Sequence, residues 1–344
     1  MLRRIVFALV ALIVVSVAAV AVVKYRADRN FYVGYSSAHP LKAVEETPTV
    51  VDGDVNAFGL TLPARYRRQA VAFDGDPGER VPAVLTMPLE ASAPVPVIIL
   101  LHGSHQEKEF VEQISTPFNE AGFAMVCFDQ YMRGERRVRG NVLEISRAFR
   151  DRCRKTVHDT QRLIDYLQTR PDIDSERVYL VGASYGAITG TVVIARDKRI
   201  RAAALVVGGG NFWLLAKAPE VRRELPQWIW PFAGPLMVFA AGVADPVRHA
   251  ADTAGTPVLM LNGSNDGVVT PESGEALFAA LGEPKEIRWY PVDHPDREPD
   301  GEKVIEMLND GLDWFLKWDA PFRSETGEEP LPLEEPKTDA VAAG

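Results

Sequence analysis

The chain has 344 residues, 47% hydrophobic and 25% charged, enough for one large α/β domain with a modest insertion. A formal net charge of -9 removes the basic footprint a nucleic-acid partner would need. Two cysteines and six histidines stand in no zinc spacing. No metal or organic cofactor is expected.

In chain order, the first element is Ile5 to Val23, a stretch without a charge, preceded by Arg3 and Arg4 and followed by Lys24, Arg26 and Arg29. As a helix it would cross most of a roughly 30 Å hydrocarbon core. Residues 1–29 therefore read as a transmembrane signal anchor. A signal peptide cleaved near Ala18-Ala19-Val20-Ala21 and a buried helix are the competing readings. The anchor reading places the rest of the chain outside a membrane, and the cleaved-peptide reading makes it secreted or periplasmic. Basic residues on both flanks leave the orientation open.

Residues 30–320 alternate strand and helix signals, which predicts a mostly parallel central sheet with helices on both faces. Residues 69–73 and 81–87 are expected to pair as a hairpin. Val95 to Leu101 is almost wholly apolar, the pattern of a strand buried on both sides. Helix is expected through Phe110 to Glu120, and strand at Ala124 to Phe128. Cys127 falls inside that strand and Cys153 in a charged helical stretch, so no disulfide is expected. The loop Asp129 to Arg136 follows, with Arg133 and Glu135 expected to brace it as an ion pair. Val157 to Gln168 has helical apolar spacing, and Arg177 to Val181 reads as strand.

That strand runs into Gly182-Ala183-Ser184-Tyr185-Gly186, a G-x-S-x-G turn followed by the small, apolar run Ala187 to Ala195. A serine on a tight strand-to-helix turn has its hydroxyl lifted off the sheet with backbone N–H groups near it. Such a hydroxyl needs a base, and the base needs an orienting acid. Ala203 to Val207 is the next strand. Residues 211–250 break the alternation: long, aromatic and interrupted by Pro226, Pro231 and Pro235, they read as a small helical lid. Its aromatics form the lid's own core or wall an acyl pocket. Strand Val258 to Leu261 then ends in a polar turn presenting Asp266, placed to accept from an imidazole, with an Asx turn or a helix cap as the alternative role. His294 follows strand Glu286 to Tyr290 and is the expected base, and its neighbour Asp293 is expected to fix the loop. Ser184, Asp266 and His294 stand in the order nucleophile, acid, histidine. Backbone N–H groups of Tyr185 and of Ser104, after His102-Gly103, are the expected oxyanion donors. Val304 to Trp318 reads as a final helix and 321–344 as a disordered acidic tail.

Together Leu101-His102-Gly103, Phe128-Asp129 with Arg133-Gly134-Glu135, the Ser184 turn, Asn262-Gly263-Ser264-Asn265-Asp266 and His294 resemble the α/β-hydrolase superfamily. More narrowly, they resemble its dienelactone-hydrolase-like and acetyl-xylan-esterase-like members, over about residues 70 to 318. The resemblance implies the roles above for Ser184, Asp266, His294 and Ser104. It implies hydrolysis of a small-molecule carboxylic ester of small to medium acyl chain through an acyl-enzyme. Serine where dienelactone hydrolases proper carry cysteine favours ordinary esters. A peptidase, a lipase and a membrane-tethered binding module are the alternatives.

Overall fold

A computed structural model describes residues 15, 16, 18, 19, 21–75, 78–91, 94–295 and 299–326. Most of the Ile5–Val23 segment and the tail from 327 onward lie outside the described residues. The chain forms two compact units, residues 1–38 and 39–344. In the first, residues 21–29 are helical and the Phe31 ring meets Tyr32 edge-on at 4.9 Å.

The second unit is built on a ten-stranded sheet. Its strands are β1 (Val44–Glu45), β2 (Thr49–Ala57), β3 (Leu60–Asp74), β4 (Arg80–Met87), β5 (Val95–Leu101), β6 (Ala124–Phe128), β7 (Ile173–Ala183), β8 (Ile200–Val206), β9 (Val258–Gly263) and β10 (Lys285–Tyr290). They lie in the order β1-β3-β4-β6-β5-β7-β8-β9-β10, with β2 paired to β3. From β6 to β10 every pairing is parallel, and β1 to β4 add an antiparallel flank. The expected hairpin at 69–73 and 81–87 is part of a longer β3–β4 pair, with Ala72 opposite Pro82.

Period-two side-chain alternation divides β5 between two helical layers. Ile98 and Leu100 face a core shared with Val111, Ile114 and Phe118 of α1 (Val111–Glu120). Helix α2 (Val142–Leu167) and α3 (Tyr185–Arg196) cover the other face. A Cβ on Gly190 of α3 would stand 3.0 Å from Leu180 Cδ2 of β7 and 3.7 Å from Leu101 Cδ1 of β5, so the helix packs close on the sheet here.

Between β8 and β9 come α4 (Phe212–Leu215), α5 (Pro219–Arg223), α6 (Trp230–Ala241) and several 3₁₀ turns. By length and composition Gln227–Ala244 is apolar enough to cross a membrane. The α6 portion is 12 residues, a rise of about 18 Å. Trp228 in the preceding 3₁₀ turn and Phe232, Leu236 and Phe239 on α6 are exposed. After β9 comes α7 (Pro271–Ala280), and α8 runs Gly301–Thr326, past Trp318 into the segment expected to be a tail. Buried chemistry holds that extension. Asp319, wholly buried, accepts from Arg177 Nη2 at 2.7 Å, Tyr179 Oη at 2.8 Å and Arg323 Nε at 2.7 Å.

Candidate active site

β7 delivers its last residue into a turn only glycines permit. A Cβ at Gly182 would stand 2.5 Å from the Gly186 carbonyl oxygen, and one at Gly186 would stand 1.8 Å from that of Leu101. Between them Ser184 takes φ 53° and ψ −113°, a strained conformation for a residue with a side chain. Its N–H donates to the Val206 carbonyl at 2.9 Å, so the turn is tied to the end of β8. α3 begins at the next residue, with the N–H of Tyr185 in its first turn.

Asp266 and His294 come from the loops after β9 and β10, which are neighbours in the sheet. The structure brings them to the serine. Ser184 Oγ lies 3.0 Å from His294 Nε2, and His294 Nδ1 lies 2.7 Å from Asp266 Oδ2. Because a carboxylate only accepts, Nδ1 carries the proton and Nε2 is left as an acceptor for the hydroxyl. Asp266 and His294 are 3% and 4% exposed, so bulk water competes little for these bonds. The other oxygen of Asp266 accepts from the N–H groups of Val268 and Val269, both at 2.7 Å. The Asx-turn role and the imidazole contact are thus held by one side chain. The cap of α7 is instead Thr270. Asp293 spans both loops, its Oδ1 accepting from Gly267 N–H at 3.0 Å and His294 N–H at 2.6 Å.

The loop after β5 carries Ser104, half-buried in a turn. The Gly103 N–H donates to Gln106 Oε1 at 2.8 Å. His105 is exposed and His102 wholly buried. His102 Nδ1 donates to the Gly103 carbonyl at 2.8 Å, and Gln130 Nε2 donates to the His102 carbonyl at 2.7 Å. Burial pushes the His102 imidazole down to about 4, so it is neutral and structural at pH 7. His249 is spent within the insertion, donating to the Val243 carbonyl at 2.9 Å.

The Asp129 loop departs from expectation. Glu135 pairs with Lys108 at 2.8 Å, not with Arg133. Gly134, at φ 52°, reverses the chain so that the Glu135 N–H reaches Asp129 Oδ2 at 2.9 Å, and Lys108 completes the brace at 3.3 Å from the same oxygen. Arg136 instead pairs with Asp159 at 2.7 Å. Arg152, 5% exposed, was given no role by the sequence. Its guanidinium lies 3.7 Å from the Tyr185 ring centroid, with no ion pair among the described residues. The only hint was an arginine on the buried face of a charged helix.

Beside Ser184 and His294 lies an apolar cavity of about 80 Å³. Cys127 and Cys153 are both buried, and neither is in a disulfide.

The parallel sheet, the strained serine turn and the two following loops define an α/β-hydrolase fold. The chain belongs to the Dienelactone hydrolase family, which matches residues 81–306. Esterase YjfP of Escherichia coli K12 is 22% identical over 210 residues, 59% of this chain and 82% of that protein. YtaP of Bacillus subtilis strain 168 is 21% identical over 172 residues, and the match spans 45% of this chain and only 58% of YtaP. An acetyl xylan esterase from Paenibacillus sp. R4 superposes with a TM-score of 0.60 at 19% identity, covering 83% of this chain and 93% of that one, a likeness of fold.

Proposed function

We propose that the chain is a carboxylesterase-type serine hydrolase acting on small esters. The 3.0 Å and 2.7 Å contacts that string Ser184, His294 and Asp266 together carry the reading. His294 takes the Ser184 proton as Oγ attacks the ester carbonyl. The tetrahedral oxyanion is held by the N–H groups of Tyr185 and Ser104. His294 then returns the proton to the departing alcohol, leaving an acyl-serine. A water molecule deprotonated by the same imidazole releases the acid. Asp266 keeps the ring in the tautomer that leaves Nε2 free to accept. The reaction so written draws on no metal or organic cofactor.

Membership in a hydrolase family and the esterase name of the Escherichia coli relative support this reading. Residues 211–250 act as a lid, and residues 1–29 tether the catalytic unit to a membrane on its exported side. The uncharged run Ile5–Val23 supports the tether.

The deciding experiment is Ser184→Ala against a panel of p-nitrophenyl esters. Removing a nucleophile should lower kcat by about 10³-fold or more. Ester turnover by S184A at the unsubstituted rate would overturn the assignment.

A further inference from the structure

The cavity beside Ser184 has walls that the sequence did not announce. They come from Ile114 of α1, Val181 of β7, Met307 and Leu308 of α8, Phe110, and Phe58 at the tip of the β2–β3 hairpin. All six side chains are apolar. No residue of 211–250 lines it, so the aromatic insertion is not the wall of this pocket.

Phe58 is held at some expense to the backbone. Ala57 pairs with Leu60, leaving Phe58 and Gly59 as a two-residue turn with φ of 56° and 76°. Turns with both central residues at positive φ favour Asn, Asp or Gly, and a bulky residue there is strained. The tip is also clamped: a Cβ on Gly301, where α8 begins, would stand 2.6 Å from the Phe58 carbonyl oxygen. Phe110 meets the Phe58 ring edge-on, with centroids 6.2 Å apart and planes at 88°. An aromatic ring is thus fixed in the wall of the cavity that Ser184 also lines, on a turn that local preference would give to another residue.

The geometry points to the hairpin tip, through Phe58, as the determinant of acyl-chain length, admitting short acyl groups. This rests on the ester-hydrolase reading and narrows it. A cavity of about 150 Å³ accommodates benzene, six carbons. One of about 80 Å³ therefore holds about three carbons beyond the carbonyl, the range from acetyl to butyryl.

The test uses the full chain and its Phe58→Ala and Phe58→Asn variants, the second keeping a residue suited to the turn. The substrates are p-nitrophenyl acetate, butyrate and octanoate. The unsubstituted enzyme should favour the first two. Both variants should raise the octanoate-to-butyrate ratio of kcat/KM by about tenfold or more, since each methylene accommodated is worth at least that order. Trp213→Ala, in the insertion, should leave the ratio unchanged. Phe58 variants that hydrolyse acetate with an unaltered ratio would overturn the assignment. So would a shift produced by Trp213→Ala, or one seen only across acetates graded in alcohol length. If the unsubstituted enzyme cleaves no ester and a fluorophosphonate leaves Ser184 unlabelled, the underlying reading falls and takes this one with it.

Discussion

At Asp293 a single carboxylate oxygen receives two backbone N–H groups, one from the loop bearing Asp266 and one from His294 itself. Neither contact touches a reacting atom, yet together they set where the imidazole stands. An error of about 1 Å in such a group lowers rates by about 10²-fold. Asp293→Ala is therefore expected to lower kcat by about 10- to 100-fold with KM little changed. Asp293→Asn keeps an acceptor oxygen and should restore most of the rate. Steady-state kinetics on p-nitrophenyl acetate decides it. Equal losses in both variants would mean that the carboxylate charge, rather than its acceptor geometry, matters.

At the scale of elements, α8 matters to the site because it supplies Met307 and Leu308 to the pocket and is pinned by Asp319. Burial pushes the Asp319 carboxyl up, but bonds from Arg177 and Tyr179 outweigh it and hold the group below the usual carboxylate range. Arg177 is 1% exposed and Arg323 7%. Asp319→Asn removes the buried carboxylate that both guanidinium groups share, leaving Arg177 only the longer 3.7 Å pairing with Asp174, a loss of roughly 3–5 kcal/mol. The thermal midpoint should fall by about 10 °C, since each kcal/mol moves a domain of this size by a few degrees. A melt followed by circular dichroism would show it, and an unchanged midpoint would contradict a pinning role. This element also shows where pattern reading stopped short. Beyond Trp318 the helix buries Asp319 and Arg323, so hydrophobic periodicity ends while the helix continues. The same holds for α2, which begins fifteen residues before Val157 with buried Ala148 and Arg152 on its inner face. Strand β2 (Thr49–Ala57) is exposed along most of its length and carries Asp52, Gly53 and Asp54, so nothing in its sequence alternates. The hairpin that walls the pocket was hidden for that reason. The candidates Ser184 and Asp266 could be picked out because each follows an apolar strand in a short polar turn, and His294 because it comes next in chain order after the half-charged strand β10, signals that need no knowledge of packing.

For the whole molecule, the division into units of residues 1–38 and 39–344 puts the serine, both partner loops and every pocket wall in the second unit. Its core closes on itself, from Val84 and Ile98 through Leu259 to Phe315. Catalysis should therefore be separable from location. Full-length protein expressed in a bacterial host is expected in the membrane pellet, retained through high-salt and alkaline washes, because about nineteen uncharged residues hold a chain by apolar transfer rather than by charge. A chain beginning at His39 should hydrolyse p-nitrophenyl acetate with unchanged kcat and KM. Its partition reports on the exposed Trp228, Phe232, Leu236 and Phe239: release to the supernatant means this face does not hold a bilayer alone. Recovery of the full-length product from the soluble fraction, with an N-terminus near Ala21, would replace the anchor with a cleaved signal. Loss of turnover in the chain from His39 would show that the first unit supports the site after all.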